Sequence, residues 1–330
     1  MKQTLMQAMI YTEYGSPDVL ELKQVDKPKP SNNEVLIKVY AASINDWDWG
    51  LLQGKPFINK MMSGLSRPKR IQILGSDIAG IVEAAGRDVT QLKVGDQVFG
   101  DLCGCKWGGF AEYVCAPEST MTVKPTGMSF EQAAALPQAA LLAMQGLLHR
   151  KQVKSGKQVL INGAGGGSGS FAIQIAKSLG AEVTGVDTEA KFELMKSLGA
   201  DHVIDFTQEN FTQKGKHYDL ILDLMGHHSI FDYKRSLYQN GRYLMVGGCS
   251  SLIFQSLIIA PLLSMISNKK LGLLAHQPNK EMEPLLKLFE NGDVVPVIDK
   301  CYPLDELEQA FKYFGERCSK GKVVIKIAPK

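Results

Sequence analysis

The run Asn162-Gly163-Ala164-Gly165-Gly166-Gly167-Ser168-Gly169 constrains this chain more than any other segment. It follows a β-type run, Gln158-Val159-Leu160-Ile161-Asn162, and opens a helical pattern from Ser170 to Leu179. Glycine at this density between a strand and a helix serves tight turning and close backbone approach. From Ala164 the run fits a dinucleotide fingerprint with alanine in the first glycine place: Ala164-x-Gly166-x-x-Gly169. Gly166 lets the backbone approach a pyrophosphate, and Gly169 lets the helix pack closely on the sheet. The free N–H groups at the helix start suit phosphate oxygens, and Gly165, Gly167 and Ser168 join the cofactor-binding candidates. Asp187 lies 21 residues after Gly166, at the end of the next β-type run, where a ribose-binding acid belongs. No Lys-Ser/Thr pair follows the glycines, which excludes a P-loop.

The segments around this turn alternate. Glu182–Asp187, His202–Asp205, Tyr218–Asp223 and Arg242–Val246 read as strands; Ala190–Leu198 and Ser229–Tyr238 read as helices. Such alternation predicts βαβ units and a parallel sheet covered on both faces. The first 125 residues are different, with short β-type runs such as 35–39, 78–82 and 97–99 separated by Pro and Gly turns. Ser129 to Gln152 is helical in pattern, with a capping box at Ser129 and Gln132 and a break at Pro137. The last 35 or so residues return to β character and end in Lys322-Val323-Val324-Ile325-Lys326-Ile327. A length of 330 residues suits two domains.

Composition narrows the functional classes. Apolar residues make up 45% and charged residues 22%, which excludes a mostly disordered chain. A net charge of +3 gives no electrostatic reason for a nucleic-acid partner. The six cysteines are sparse and irregular, so a reducing compartment is expected. The amino-terminal heptad, 1–7, lacks the apolar core of a secretory signal. The longest apolar stretch, 252–266, is shorter than the roughly 20 residues of a spanning helix. A soluble, cytoplasmic protein without stable membrane insertion is therefore expected.

Motifs along nearly the whole chain resemble the zinc-independent medium-chain dehydrogenase/reductases, in the quinone-oxidoreductase-like branch. They begin at Tyr14-Gly15-Ser16-Pro17-Asp18-Val19-Leu20 and continue through Glu34–Val39 and Ala42-Ser43-Ile44-Asn45. Leu74-Gly75-Ser76-Asp77-Ile78-Ala79-Gly80, Val94–Val98, Gly109–Tyr113, the glycine turn, Gly199-Ala200-Asp201 and Gly321–Val324 complete them. The resemblance implies a GroES-like mainly-β catalytic domain over 1–125 and 293–330. A Rossmann dinucleotide-binding domain over 126–292 would be inserted into it. It places Asn45 beside nicotinamide and substrate, as the catalytic candidate. It sets Gly226, Gly247 and Gly248 near the nicotinamide, and it implies a homo-oligomer, dimer or tetramer.

Zinc-dependent relatives carry Cys where Asn45 stands and His-Glu where Ser76-Asp77 stand, so no bound zinc is expected. Many quinone-reductase relatives have a Tyr two residues after the position of Asp48; Gly50 stands here, so no phenol is available there. Leu142, Ser168 and Phe206 also depart from the pattern. For the cofactor, NAD(H) or NADP(H), the residues pull both ways. Asp187 should bind a ribose 2′-hydroxyl and repel a 2′-phosphate, whereas Lys191 could reach that phosphate; the balance leans to NAD(H).

The activity implied is NAD(P)H-dependent reduction of a quinone or an α,β-unsaturated carbonyl, with an apolar, conjugated small molecule as substrate. A metal-free carbonyl/alcohol oxidoreductase, or a weakly catalytic dinucleotide-binding sensor or assembly protein, stays open beside it. The apolar run 252–266 reads as a buried Rossmann segment, a subunit interface, a wall or lid for a greasy substrate, or a peripheral membrane contact.

Overall fold

A computed structural model describes residues 4–149 and 153–327. Along the chain run β1 (Leu5–Tyr11), β2 (Leu20–Asp26), β3 (Glu34–Ser43), α1 (Asp46–Gln53) and α2 (Phe57–Ser63). There follow β4 (Asp77–Ala85), β5 (Gln97–Asp101), β6 (Tyr113–Pro117), β7 (Thr122–Val123), α3 (Phe130–Ala135) and α4 (Pro137–Leu148). Next come β8 (Gln158–Asn162), α5 (Gly167–Ser178), β9 (Glu182–Asp187), α6 (Phe192–Ser197), β10 (His202–Asp205), β11 (Tyr218–Asp223) and α7 (Ile230–Arg235). The remainder is β12 (Leu237–Met245), α8 (Ser250–Met265), β13 (Lys270–Leu273), α9 (Met282–Glu290), β14 (Ile298–Pro303), α10 (Leu307–Gly315) and β15 (Lys322–Lys326). The described residues gather into two compact units, one of 4–138, 278–282 and 298–327, the other of 139–149, 153–277 and 283–297.

In the second unit six strands form one sheet in the order β10-β9-β8-β11-β12-β13. Every neighbouring pair is parallel. Numbered within the sheet this is 3-2-1-4-5-6, the doubly wound order whose direction reverses between its first and fourth strands. Here those strands are β8 and β11, and the glycine turn leaves the carboxyl end of β8. β8, β9 and β11 are buried along nearly all their length, as continuous apolar strands between two helical layers must be. Leu160, Val186, Ile221, Tyr243, Met245 and Leu252 pack into one core.

The first unit is mainly β. β14, β15, β3, β4, β5 and β7 form the path of its main sheet, with β6 also paired to β3; β1 and β2 form an antiparallel pair of their own. Its core is built on Val35, Ile37, Val39, Ile44, Leu51, Ile78, Phe110 and Phe311.

The helical stretch from Ser129 is broken at Pro137 as expected: α3 ends at Ala135, and Pro137, which lacks an N–H, opens α4, where none is needed. Its expected end at Gln152, like Met1–Gln3, lies outside the described residues. Two elements differ from the sequence reading. The helix from Ser229 ends at Arg235, and Leu237 already pairs with Tyr218 as strand. α10 interrupts the β character expected of the last segment; its buried Leu307, Ala310 and Phe311 have helical spacing that was legible beforehand.

The 252–266 run is only half buried. Leu252, Ser256, Ala260 and Leu263 of α8 turn inward. Phe254 at 63% exposed, Leu257, Ile258, Leu262 and Met265 at 82% form an opposite, uncovered apolar stripe.

Candidate functional site

The glycine turn has the room that a pyrophosphate needs. α5 begins at Gly167 with Gly166 as its cap, and no side chain caps the N–H groups of its first turn. A Cβ added to Gly166 would meet nothing nearer than 3.5 Å. At Gly169 it would lie 2.1 Å from Gly163 O and 2.6 Å from Ala164 Cα. Open space at the first position and contact at the second match the two roles expected of them. Ala164 is fully buried beneath the helix, while Gly167 and Ser168 are half-buried. At Gly165 a Cβ would meet the Lys191 side chain at 2.6 Å. Gly166, Gly167 and Ser168 fit a dinucleotide phosphate, whereas the Gly165 N–H, expected to serve it too, is given to Asp187.

Asp187 ends β9 beside this turn and is 6% exposed. Its carboxylate accepts from Gly165 N at 3.0 Å and Thr188 N at 2.9 Å. Lys191 Nζ stands 3.2 Å from it, buried to the same degree. The acid expected to face a ribose is thus held by internal donors, with a cation against it.

Gly226, Gly247 and Gly248 do come together. Gly226 N donates to Gly247 O at 2.9 Å, and Gly226 bridges Gly248. Added Cβ atoms would strike Asp223 at Gly226, Leu224 O at Gly247 and Gly226 O at Gly248. Close backbone approach gives Gly247 and Gly248 a structural reason, and the Leu252 and Asp223 side chains give Gly226 one.

In the first unit Asn45 caps α1, and its backbone N–H donates to Asp48 Oδ2 at 3.0 Å. The other Asp48 oxygen accepts from Gly75 N at 2.9 Å. Asp48 is fully buried, and burial pushes its carboxyl up to about 7. The Asn45 side chain belongs to a buried polar cluster. Its Nδ2 donates to Asp77 Oδ2 at 3.0 Å and to Ser76 Oγ at 3.2 Å. Its Oδ1 accepts from Lys322 Nζ. Lys322 also donates to Ile44 O at 3.2 Å and lies 3.7 Å from Asp77 Oδ2. Gln138 N closes the other side of Asp77 at 3.1 Å. Burial pushes Asp77 up to about 8, against the pull of the Lys322 ammonium, and pushes Lys322 down.

The sequence reading used Lys322 only as part of a motif and missed its place here. No local signal pairs residues 277 positions apart. Gly50 has a structural cause: a Cβ there would lie 2.8 Å from Lys55 O and 2.5 Å from the Asn59 amide. A side chain as large as tyrosine has no room at that backbone position. Trp107, also unremarked beforehand, stacks on Trp47 with ring centroids 6.0 Å apart. Among the described residues, no group of three His, Cys, Asp or Glu side chains is arranged to hold a metal ion.

Comparison with known proteins follows the same division. Residues 31–126 match the alcohol dehydrogenase GroES-like domain, 131–223 the alanine dehydrogenase/PNT C-terminal domain, and 198–325 the zinc-binding dehydrogenase family. The chain is 35% identical to 2-methylene-furan-3-one reductase of Solanum lycopersicum, over 98% of this chain and 80% of that protein. It is 31% identical to the NADPH-dependent alkenal/one oxidoreductase of Arabidopsis thaliana, over 97% and 79%. The structure of the quinone oxidoreductase from Coxiella burnetii matches with a TM-score of 0.87 and 30% identity, covering 98% of this chain and all of that one. The mainly-β unit is GroES-like and the parallel sheet is of the Rossmann type.

The two glycines should separate folding from binding. Gly169→Ala should lose about 2 kcal/mol or more of stability in urea unfolding, from overpacking against backbone. Gly166→Ala should lose less than about 1 kcal/mol, the scale of a poorer cap, yet weaken NAD(P)H binding at least about tenfold. Equal loss of stability in both would contradict this division of roles. Asp48 gives a pH signature. A carboxyl that keeps its proton in the fold up to about 7, but ionises near 4 when unfolded, adds stability that is complete below about pH 4. That contribution is lost as pH rises through about 7. Unfolding free energy should therefore fall from pH 5 to 8 more steeply in the wild type than in Asp48→Asn; parallel profiles would remove the assignment.

Proposed function

The chain belongs to the medium-chain dehydrogenase/reductase family, in its quinone-oxidoreductase-like branch, and from that premise we propose that it is an NAD(P)H-dependent reductase of quinones or α,β-unsaturated carbonyls. The observation that carries this reading is near-full-length similarity to enone and quinone reductases. The uncapped, glycine-lined start of α5 supports it as the seat of the dinucleotide phosphates.

We further propose that no zinc takes part. Asn45 and Ser76 stand where zinc-dependent relatives place ligands, and the Asn45 amide is committed to its neighbours. The Lys322 ammonium, hydrogen-bonded to Asn45 and 3.7 Å from Asp77, puts a positive charge where a metal cation would need to be.

The bound nicotinamide supplies a hydride. The protein then has to tolerate the negative charge left on the acceptor. A metal would meet that charge directly. Hydrogen bonds and fixed dipoles offer a few kcal/mol each. Acceptors that spread the charge themselves suit such a site: a quinone gives a phenolate and an enone an enolate, both far less basic than a simple alkoxide. With Gly50 offering no phenol, the proton that completes the reduction comes from solvent.

On cofactor choice the reading leans to NADH. Its support is the acid at the end of β9; the Asp187–Lys191 pair tempers it by placing a cation beside that acid. The proposed compartment is a reducing one, the cytoplasm, in keeping with six free cysteines. Among the described residues no helix is long and apolar enough to cross a membrane. A homo-oligomer, dimer or tetramer, is proposed as well. β13 is an edge strand of its sheet, and α8, packed beside it, leaves its apolar stripe uncovered.

A panel of quinones, enones and simple alcohols, run with both cofactors, tests the activity. At least one quinone or enone should be reduced, chelators should leave the rate unchanged, and ethanol-type alcohols should be oxidised more slowly. Faster alcohol oxidation would favour a carbonyl/alcohol oxidoreductase, and binding without turnover a sensor. A tenfold preference for NADPH, about 1.4 kcal/mol, would reverse the cofactor choice. Sedimentation velocity tests the assembly: the wild type should exceed a monomer, and Leu257→Asp with Leu262→Asp should reduce it to one. A monomeric wild type would contradict this.

A further inference from the structure

Between Asp48 and Asp77 the chain carries no acidic residue, yet it carries five cations: Lys55, Lys60, Arg67, Lys69 and Arg70. Lys60 is half-buried and the other four are exposed. Among the described residues none of the five stands in an ion pair. The helix α2 lies within this segment. Its inner side is fixed to the mainly-β unit: Met62 packs against the core, and buried Ser63 donates its Oγ hydrogen to Ile71 O at 3.1 Å. The returning chain is pinned as well. Lys69 N and Arg70 N both donate to Ser63 O, at 2.9 and 3.0 Å, and the Arg70 guanidinium donates to Met61 O at 3.1 Å. Phe57, Ile58 and Met61, at positions i, i+1 and i+4, share the outer side, and Leu65 follows just past the helix end. These four are 66, 53, 52 and 66% exposed. An apolar cluster thus stands fixed in water, in a segment whose every charge is positive. The uncovered stripe of α8 is different in kind, since residues 250–268 carry no charge at all.

We propose that residues 55–70 form a docking surface for an anionic lipid bilayer, with Phe57, Ile58, Met61 and Leu65 entering the boundary between headgroups and acyl chains and the cations meeting lipid phosphates. The combination of groups selects this partner. A nucleic acid would use the cations and leave the aliphatic cluster in water. A folded acidic protein would need a matching pocket for each apolar side chain, whereas a fluid bilayer accepts them at any spacing. Membrane-surface helices pair an apolar face with Lys and Arg in this way, and the long basic side chains lay their stems along apolar surface while their charges stay in the polar layer. No carboxylate within the segment opposes the approach to a negative surface. The contact is peripheral, because the seven residues of α2 are far too few to span a bilayer. Docking of this kind brings the protein to the phase in which apolar acceptors dissolve, but it does not depend on the reductase reading.

The test is vesicle flotation of the full chain, with neither cofactor nor acceptor present. Wild type should float with vesicles containing about one-third phosphatidylglycerol, stay behind with phosphatidylcholine alone, and be released progressively by salt. A cation near an anionic surface contributes about fivefold in binding, so Lys55→Gln with Arg67→Gln and Lys69→Gln should weaken it at least about thirtyfold. Phe57→Ser with Leu65→Ser should weaken it at least about tenfold, because affinity also scales with the apolar area inserted. Thermal melts establish that these surface variants are folded. Hydrogen exchange of the wild type decides independently of any variant: anionic vesicles should slow exchange across 57–65. Failure to float with anionic vesicles would overturn the proposal and leave the surface to an acidic protein. Equal flotation with both vesicle types, flotation undiminished in either folded variant, or slowed exchange elsewhere with 57–65 unchanged would overturn it too.

Discussion

One buried ammonium, Lys322, holds together three strand ends of the mainly-β unit. Lys322 opens β15, Asp77 opens β4, and Ile44 and Asn45 follow directly on β3. Ser43 faces Asp77 across one strand pair and Val324 across the other. A cation inside a protein is costly unless it is paired and hydrogen-bonded. Lys322 meets both conditions only if all three strand ends are in register. The arrangement thus ties the last strand of the chain to the loop that carries Asn45. A slip of one residue would turn the lysine to the opposite face and leave Asp77 without its counter-charge.

The same cluster bears on the proposed zinc-free chemistry. A buried cation hydrogen-bonded to Asn45 and 3.7 Å from Asp77 disfavours a metal ion at that place. An acceptor whose product anion is stable by its own conjugation suits such a site, which favours quinones and enones over simple ketones. The parallel-sheet unit offers backbone N–H groups at a helix start, a general means of binding phosphate. In the mainly-β unit the Asn45 amide is held between a buried cation and a carboxyl group.

Much of this was legible in the sequence where the signal is local. The strand, glycine run, helix and acid from Gln158 to Asp187 lie within 30 consecutive residues, and the doubly wound sheet followed from their alternation. The contrast between Gly166 and Gly169 could also be read, since each role depends on the turn itself. Contacts that span the chain could not. Asn45 and Lys322 are separated by 277 positions, and only the closing of the sheet brings them together. Gly226, Gly247 and Gly248, read as cofactor contacts, also have structural reasons in the crowding around them, which no local signal shows. α8 shows a further limit: a run that is apolar on every side has no periodicity to tell its buried face from its uncovered one.

The proposed reaction is conjugate hydride delivery without a metal. Nicotinamide cofactor deuterated at C4 is supplied with a simple enone in the presence of a chelator, and the label is located by NMR. Conjugate delivery puts deuterium on the β-carbon with the carbonyl retained, and hydrogen from solvent on the α-carbon. Deuterium on the former carbonyl carbon, in an allylic alcohol, would contradict it.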